Sequence, residues 1–289
     1  MTVRDLGRVG VVGCGLMGSG IAEASGRAGL SVDVVERDQV ALEAGRRRIE
    51  TSLRRAVKAG KLSDLDADAA LSRMTFSTEL ASLAQADLVI EAIIESETEK
   101  LEIFAALDEV VSSPHAILAS NTSSIPIMKL AMATSRPAQV VGIHFFNPVP
   151  VLPLVELVTS LLTDEETADT ARHFAHHHLG KHVIRSQDRA GFIVNALLIP
   201  YVLSAIRMLE SGFATAEDID AGMVKGCAHP MGPLALADLI GLDTMTAVAS
   251  SLYEEFKEPL YAAPPLLARM ADAGLLGRKS GRGFYIYER

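Results

Sequence analysis

The sequence predicts an α/β fold: a domain built on a mostly parallel sheet, followed by an all-helical C-terminal domain. Three observations carry this expectation. Short apolar runs alternate with helix-like stretches through the first part of the 289 residues. A glycine-rich turn follows the first of those runs at once. From Asp188 onward the pattern is almost wholly helical.

The apolar runs are Val9–Val12, Val32–Glu36, Leu88–Ala92, Ile117–Ala119 and Val140–Ile143, each bounded by Gly, Asp, Asn or Pro. A strand of a parallel sheet is covered on both faces and is therefore apolar throughout. The helix-like stretches between them are Leu16–Ala28, Val40–Ala59, Thr98–Val111 and Ile125–Ala133. Alternation of this kind reads as a parallel sheet with helices on both faces. In the long basic stretch Leu42, Ile49, Leu53 and Val57 form an apolar stripe at helical spacing. The later helices are expected at Phe192–Glu210, Ala216–Lys225, Leu234–Phe256 and Pro265–Ala273. Thr215-x-x-Asp218 reads as a capping box, and strand-like alternation returns only at Gly283–Tyr287. The expected domains are 1–187 and 188–289.

Composition narrows the function. Lys and Arg total 27 against 36 Asp and Glu, a net charge of −9, which is the wrong sign for a protein that tracks nucleic-acid phosphates. Aromatic residues are few and Trp is absent, so base-stacking surfaces are not expected. Two cysteines, Cys14 and Cys227, support neither a disulfide framework nor a cysteine zinc site. The apolar stretch Ala196–Leu203 is too short to span a membrane. A soluble, cytoplasmic protein is expected, with no nucleic-acid or membrane partner.

Gly13-Cys-Gly15-Leu-Met-Gly18 lies between a strand-like run and a helix-like one, as a dinucleotide-binding turn requires. Gly13 permits the tight turn, Gly15 lets backbone approach a pyrophosphate, and Gly18 allows helix and strand to pack closely. With Leu16 and Met17 these residues open the helix whose N-terminus faces the anion. Glu36 follows Gly18 at the distance expected of the carboxylate that accepts from ribose hydroxyls, which makes the domain Rossmann-like and favours NAD. Arg37 beside it leaves a 2′-phosphate reading open.

His144 ends a strand-like run, and Glu156 sits in the apolar run Leu154–Val158, where a carboxylate is costly unless paired. His173, His176, His177 and His178 invite a metal reading, but no Cys or suitably spaced carboxylate completes a tetrahedral set. They are read as a solvated helix end, and no metal site is expected. Cys14 is read as a small filler.

Ser120-Asn-Thr-Ser-Ser124, His144-Phe-Phe-Asn-Pro148 with Glu156, and Gly191-Phe-Ile-Val-Asn195 together resemble the 3-hydroxyacyl-CoA dehydrogenase family. The resemblance extends from the glycine turn to Gly281-Arg-Gly-Phe-Tyr285. It implies an NAD-dependent enzyme that interconverts L-3-hydroxyacyl-CoA and 3-oxoacyl-CoA, with short acyl chains as in 3-hydroxybutyryl-CoA. His144 then matches the catalytic base, Glu156 the carboxylate that orients it, Ser123 the serine near the reacting oxygen, and Asn195 the asparagine from the helical domain. Glu95 and Lys100 match a pair on the nicotinamide side, and Asn147 and Lys279 match two further cofactor positions. Ser52 matches a contact to CoA, and the basic stretch Arg46–Lys58 would border the CoA 3′-phosphate if it is not merely a solvated face. The family's lysine after that serine falls near Ala59, with Lys58 and Lys61 as substitutes. That departure keeps a related non-CoA 3-hydroxy-acid or sugar-acid dehydrogenase open. A homodimer through the helical domain is also implied. It agrees with the stretch Phe192–Glu210, which is apolar on nearly all sides and so expects burial.

Overall fold

The computed structural model describes residues 4–288. They divide into two compact units, the first ending at Arg189 and the second beginning at Ala190.

The first unit runs β1 (Arg8–Val12), α1 (Leu16–Arg27), β2 (Ser31–Val35), α2 (Gln39–Lys58), α3 (Asp64–Ser72), β3 (Met74–Ser77), β4 (Leu88–Glu91), α4 (Glu97–Val110), β5 (Ile117–Ser120), α5 (Ile127–Met132), β6 (Val140–Phe145), β7 (Leu154–Thr159), α6 (Glu165–His173) and β8 (His182–Gln187). A π-helical turn, Phe174–His178, continues α6. The eight strands form one sheet in the order β3-β2-β1-β4-β5-β6-β7-β8. Every neighbouring pair is parallel except β6 and β7. Chain order reverses between β1 and β4, which opens a crevice at their carboxyl ends.

The five apolar runs become β1, β2, β4, β5 and β6, with ends shifted by a residue or two. Their burial explains their composition: in β4, β5 and β6 every residue is buried. The structure adds three strands. Met74–Ser77 is short and half-polar, and β8 is an edge strand with mostly exposed or half-exposed side chains, so neither carries a continuous apolar signal. Leu154–Thr159 is the run that holds Glu156. Two polar helices, α3 and α6, are also added, each started by a side-chain cap, Ser63 accepting from the Asp66 amide and Asp164 from that of Thr167. In α2 the predicted stripe faces inward, with Leu42, Ile49 and Leu53 buried.

The second unit contains α7 (Val194–Glu210), α8 (Ala216–Gly226), α9 (Pro233–Ile240), α10 (Leu242–Phe256) and α11 (Pro265–Asp272). Thr215 caps α8 by accepting from the Asp218 amide, as the capping box requires. The expected single helix Leu234–Phe256 is two helices that turn by 98° at the break between them, where Gly241 adopts φ 104°. In place of a strand, Gly283–Tyr287 contributes a single isolated bridge, Ile286 to Arg282. The helix expected at Phe192 starts at Val194 and is not buried all round. Ile199, Val202, Leu203 and Ile206 face the core, whereas Leu197 is 71% exposed. No single helix among the described residues is long and apolar enough to cross a membrane.

Two buried aspartates tie this unit together. Asp220 accepts from the Leu234 and Ala235 amides at the start of α9. Asp238, 1% exposed, accepts from the Phe284 and Tyr285 amides and the Tyr287 hydroxyl. Removing the acceptor strands these donors, each at about 1–3 kcal/mol. Asp238→Ala is therefore expected to destabilise the helical unit by about 2–4 kcal/mol in urea unfolding. A midpoint unchanged from wild type would show that the C-terminal segment is held by other contacts.

Candidate active site

The glycine turn joins β1 to α1 at the carboxyl edge of the sheet. Gly13 has φ 88°, and a Cβ there would lie 2.7 Å from the Ala92 carbonyl oxygen. A Cβ on Gly18 would lie 1.8 Å from the Gly13 carbonyl oxygen, so helix and turn meet with no room for a side chain. A Cβ on Gly15 would meet nothing within 4 Å; its surroundings are open to a ligand. No side chain caps α1 at Gly15, which leaves the first-turn amides, those of Leu16 and Met17 among them, for an anion. These features fit a dinucleotide pyrophosphate.

The turn is braced from both sides. Glu36 accepts from the Cys14 amide at 2.7 Å and from the Arg37 amide at 3.0 Å. The Arg48 guanidinium donates to the Cys14 carbonyl at 2.8 Å. Arg48 is thus part of the nucleotide turn, which the reading of a solvated basic face missed; only a through-space contact reveals it. Burial, and then the Glu36 carboxylate, push the Cys14 thiol up to about 12. It stays protonated, in keeping with its reading as a filler.

His144 and Glu156 are brought together by the one antiparallel pairing in the sheet, in which they stand directly opposite each other. His144 Nδ1 and Glu156 Oε2 are 2.7 Å apart, and both residues are buried. A carboxylate only accepts, so Nδ1 is the donor in this pair. The Asn121 side-chain oxygen accepts from the Phe145 amide at 2.9 Å, which fastens the loop after β5 beside His144.

A buried charge cluster lies at the ends of β4 and β5. Lys100 is 1% exposed, and its Nζ lies 2.5 Å from Glu91 Oε1 and 3.3 Å from Glu95 Oε2. Glu91 also accepts from the Ile93 amide and the Ser120 hydroxyl. Glu95 accepts from the hydroxyls of Thr122 and Ser124 and from the Ser123 amide, with the Ser123 hydroxyl at 3.4 Å. Burial pushes the Glu95 carboxyl up, but the Lys100 ammonium and these donors outweigh it and hold it below the ordinary range. Glu91 was not anticipated. Its only mark in the sequence is an acid at the end of an apolar run.

The remaining candidates are more scattered. Asn147 is exposed in the loop after β6, and Ser52 is half-buried on α2. Asn195 is the second residue of α7, in the helical unit. Lys279, in that same unit, is ion-paired with Asp243 at 2.5 Å.

Two family models match the chain. The NAD binding domain of 3-hydroxyacyl-CoA dehydrogenase covers residues 8–189, and the C-terminal domain of the same family covers residues 191–287. The chain belongs to the 3-hydroxyacyl-CoA dehydrogenase family. It is 61% identical to the 3-hydroxybutyryl-CoA dehydrogenase of Mycobacterium tuberculosis, over 97% of this chain and 98% of that protein. It is 40% identical to the human mitochondrial hydroxyacyl-coenzyme A dehydrogenase, over 97% of this chain and 91% of that one. The crystal structure of (S)-3-hydroxybutyryl-CoA dehydrogenase from Ralstonia eutropha superimposes with a TM-score of 0.93 at 45% identity, covering 99% of this chain and all of the other. In this sheet the glycine turn, the buried lysine cluster and His144 all sit at the carboxyl ends of the parallel strands.

The Glu95 interactions set a pH dependence. A carboxyl held low in the folded state adds stability that is fully present above its unfolded value, about 4.3. That stability is lost as pH falls through the lower folded value. Glu95→Gln is expected to unfold more easily at neutral pH and to lose less stability than wild type on acidification below about pH 4. Urea midpoints across that range decide it; parallel curves for the two proteins would contradict the assignment.

Proposed function

We propose that the protein is an NAD-dependent L-3-hydroxyacyl-CoA dehydrogenase acting on short acyl chains such as 3-hydroxybutyryl-CoA, as a cytoplasmic homodimer. The observation that carries this reading is the buried His144–Glu156 hydrogen bond, in the sheet whose first turn is shaped for a dinucleotide. The names of the Mycobacterium and Ralstonia relatives support the acyl-CoA substrate, and the latter name supports the stereochemistry.

The reaction removes a hydride from the C3 carbon of the alcohol and a proton from its oxygen, giving the 3-oxoacyl-CoA, NADH and a proton. The nicotinamide, when bound, exchanges the hydride. His144 Nε2 takes the proton from the hydroxyl, and returns it to the forming alkoxide in the reductive direction. Glu156 fixes the tautomer and stabilises the imidazolium. Ser123 and Asn195 are the donors assigned to the reacting oxygen, where negative charge develops. Glu36, pinned at the end of β2, presents its carboxylate to the ribose hydroxyls and disfavours a 2′-phosphate. A cavity of about 400 Å³ bordered by Leu42, Arg46 and Phe76 suits the adenosine end. Lys100 and Glu95 organise the nicotinamide side, with Asn147 and Lys279 as further cofactor contacts. Ser52 and the neighbouring Arg54 and Arg55 meet the CoA phosphates.

NADH oxidation with acetoacetyl-CoA tests the reading. His144→Ala is expected to lower turnover by about 10²–10⁴-fold with NADH affinity kept, and Glu156→Gln to lower it less. Wild-type activity on free 3-oxo acids alone would move the protein to the non-CoA class. Absence of turnover with either would leave only nucleotide binding.

The dimer rests on the second unit. Leu197 (71% exposed) and Ile193 (38%) lie on or beside α7, and Phe213 (80%) follows it. An apolar groove there is bordered by Ile193, Leu197, Tyr201 and Met231. Apolar surface of this kind marks association. Light scattering is expected to give twice the 30.8 kDa chain mass at micromolar concentration; a monomer would overturn the dimer.

A further inference from the structure

Of the four histidines at the end of α6, His176 and His177 are exposed, as a solvated helix end requires, whereas His173 and His178 are half-buried. His177 stacks on His173 with ring centroids 4.4 Å apart, and His178 stands edge-on to His173 at 5.6 Å. The π turn makes this arrangement. Five residues advance an α-helix by about 500°, which would set His173 and His178 about 140° apart. Here the Leu179 amide donates to the Phe174 carbonyl, an i→i+5 bond, and a turn closed in that way brings residues five apart over one another. The chain entering β1 then supplies a carboxylate from far away in sequence. Asp5 Oδ1 is 2.9 Å from His178 Nε2, yet that nitrogen is buried and meets no hydrogen-bonding geometry. The available ligand atoms of Asp5, His173 and His178 all lie within 4.8 Å of one another.

We propose that Asp5, His173 and His178 form a binding site for a divalent transition-metal ion, with zinc the ion this donor set suits. Two imidazoles and one carboxylate are zinc ligands at about 2.0–2.2 Å, which places tetrahedral ligand atoms about 3.4 Å apart. Rotation of the exposed Asp5 side chain and of the His173 ring would bring the ligand atoms from within 4.8 Å of one another to that separation, and a water would complete the coordination. His176, whose Nδ1 is bonded to the Lys181 carbonyl, is not among the three residues whose ligand atoms converge. The site ties two segments of the chain together. It fastens the segment before β1 to the end of α6, at the opposite end of β1 from the glycine turn. Nothing in the dehydrogenase reaction uses these residues.

The test is titration of the metal-stripped full chain with ZnCl₂ in competition with a chromophoric chelator, alongside thermal unfolding. One ion per chain is expected, with a rise in melting temperature on zinc addition. His173→Ala and His178→Ala are each expected to weaken binding by at least about tenfold and to abolish the thermal shift while leaving NADH turnover unchanged. Asp5→Asn, at an exposed position, gives the same answer should a histidine variant fold poorly. Equal zinc affinity in wild type and the His173→Ala/His178→Ala double variant would overturn the proposal. So would loss of zinc binding in His144→Ala instead, which would assign the ion to the catalytic pair.

Discussion

The buried ammonium of Lys100 is the constraint on which the nucleotide half of the molecule turns. A charge at 1% exposure is tolerated only with partners and filled hydrogen bonds, and removing one member of such a pair costs about 3–5 kcal/mol. The partners come from three places: Glu91 at the end of β4, Glu95 in the loop after it, and, through those carboxylates, Ser120 at the end of β5 and the loop residues Thr122–Ser124. One lysine on α4 therefore sets the ends of two strands and the conformation of the loop that carries Ser123. The same loop is stitched to β6 beside His144 by Asn121. Hydrogen bonds at both ends of this loop thus connect the cluster to the strand residue next to His144.

The His144–Glu156 pair depends on a different device. In a uniformly parallel sheet, residues twelve apart on neighbouring strands would not stand opposite each other, since a crossover separates them. The chain reverses after β6 through a short loop, and β7 returns antiparallel, so that His144 and Glu156 share one register position. Their side chains leave the sheet on the same face, at the distance of a charge-assisted hydrogen bond. The break in parallel topology thus makes the pairing that a base–carboxylate couple needs.

The sequence made the five central strands and the glycine turn readable because complete burial on both faces writes itself as an apolar run. It made Glu156 suspect for the same reason, as an acid inside such a run. Edge strand β8 and the short β3 were silent, since half-exposed strands tolerate polar residues. The break at Gly241 was hidden by apolar residues on both sides of it. Contacts between distant segments were beyond pattern reading altogether: Arg48 on the Cys14 carbonyl, Glu91 under Lys100, and Asp5 against His178. In each, the sequence shows an ordinary charged residue, and only the fold supplies its partner.

These separations have a consequence for how the site tolerates change. The His144–Glu156 pair is two side chains fixed by strand register, whereas the glycine turn is largely backbone: too tight for a Cβ at Gly13 and Gly18, with amides left uncapped at the start of α1. Backbone donors persist through side-chain substitution, and the brace of the turn by Glu36 and Arg48 lies on its far side from the ends of β5 and β6. Loss of the His144 imidazole or of its carboxylate partner leaves those donors in place, because sites without shared partners act nearly independently. Damage to the Lys100 cluster is of another kind. It joins the loop of Ser123 to the strand end beside the dinucleotide turn, so a change there couples the two halves that the sheet otherwise keeps apart.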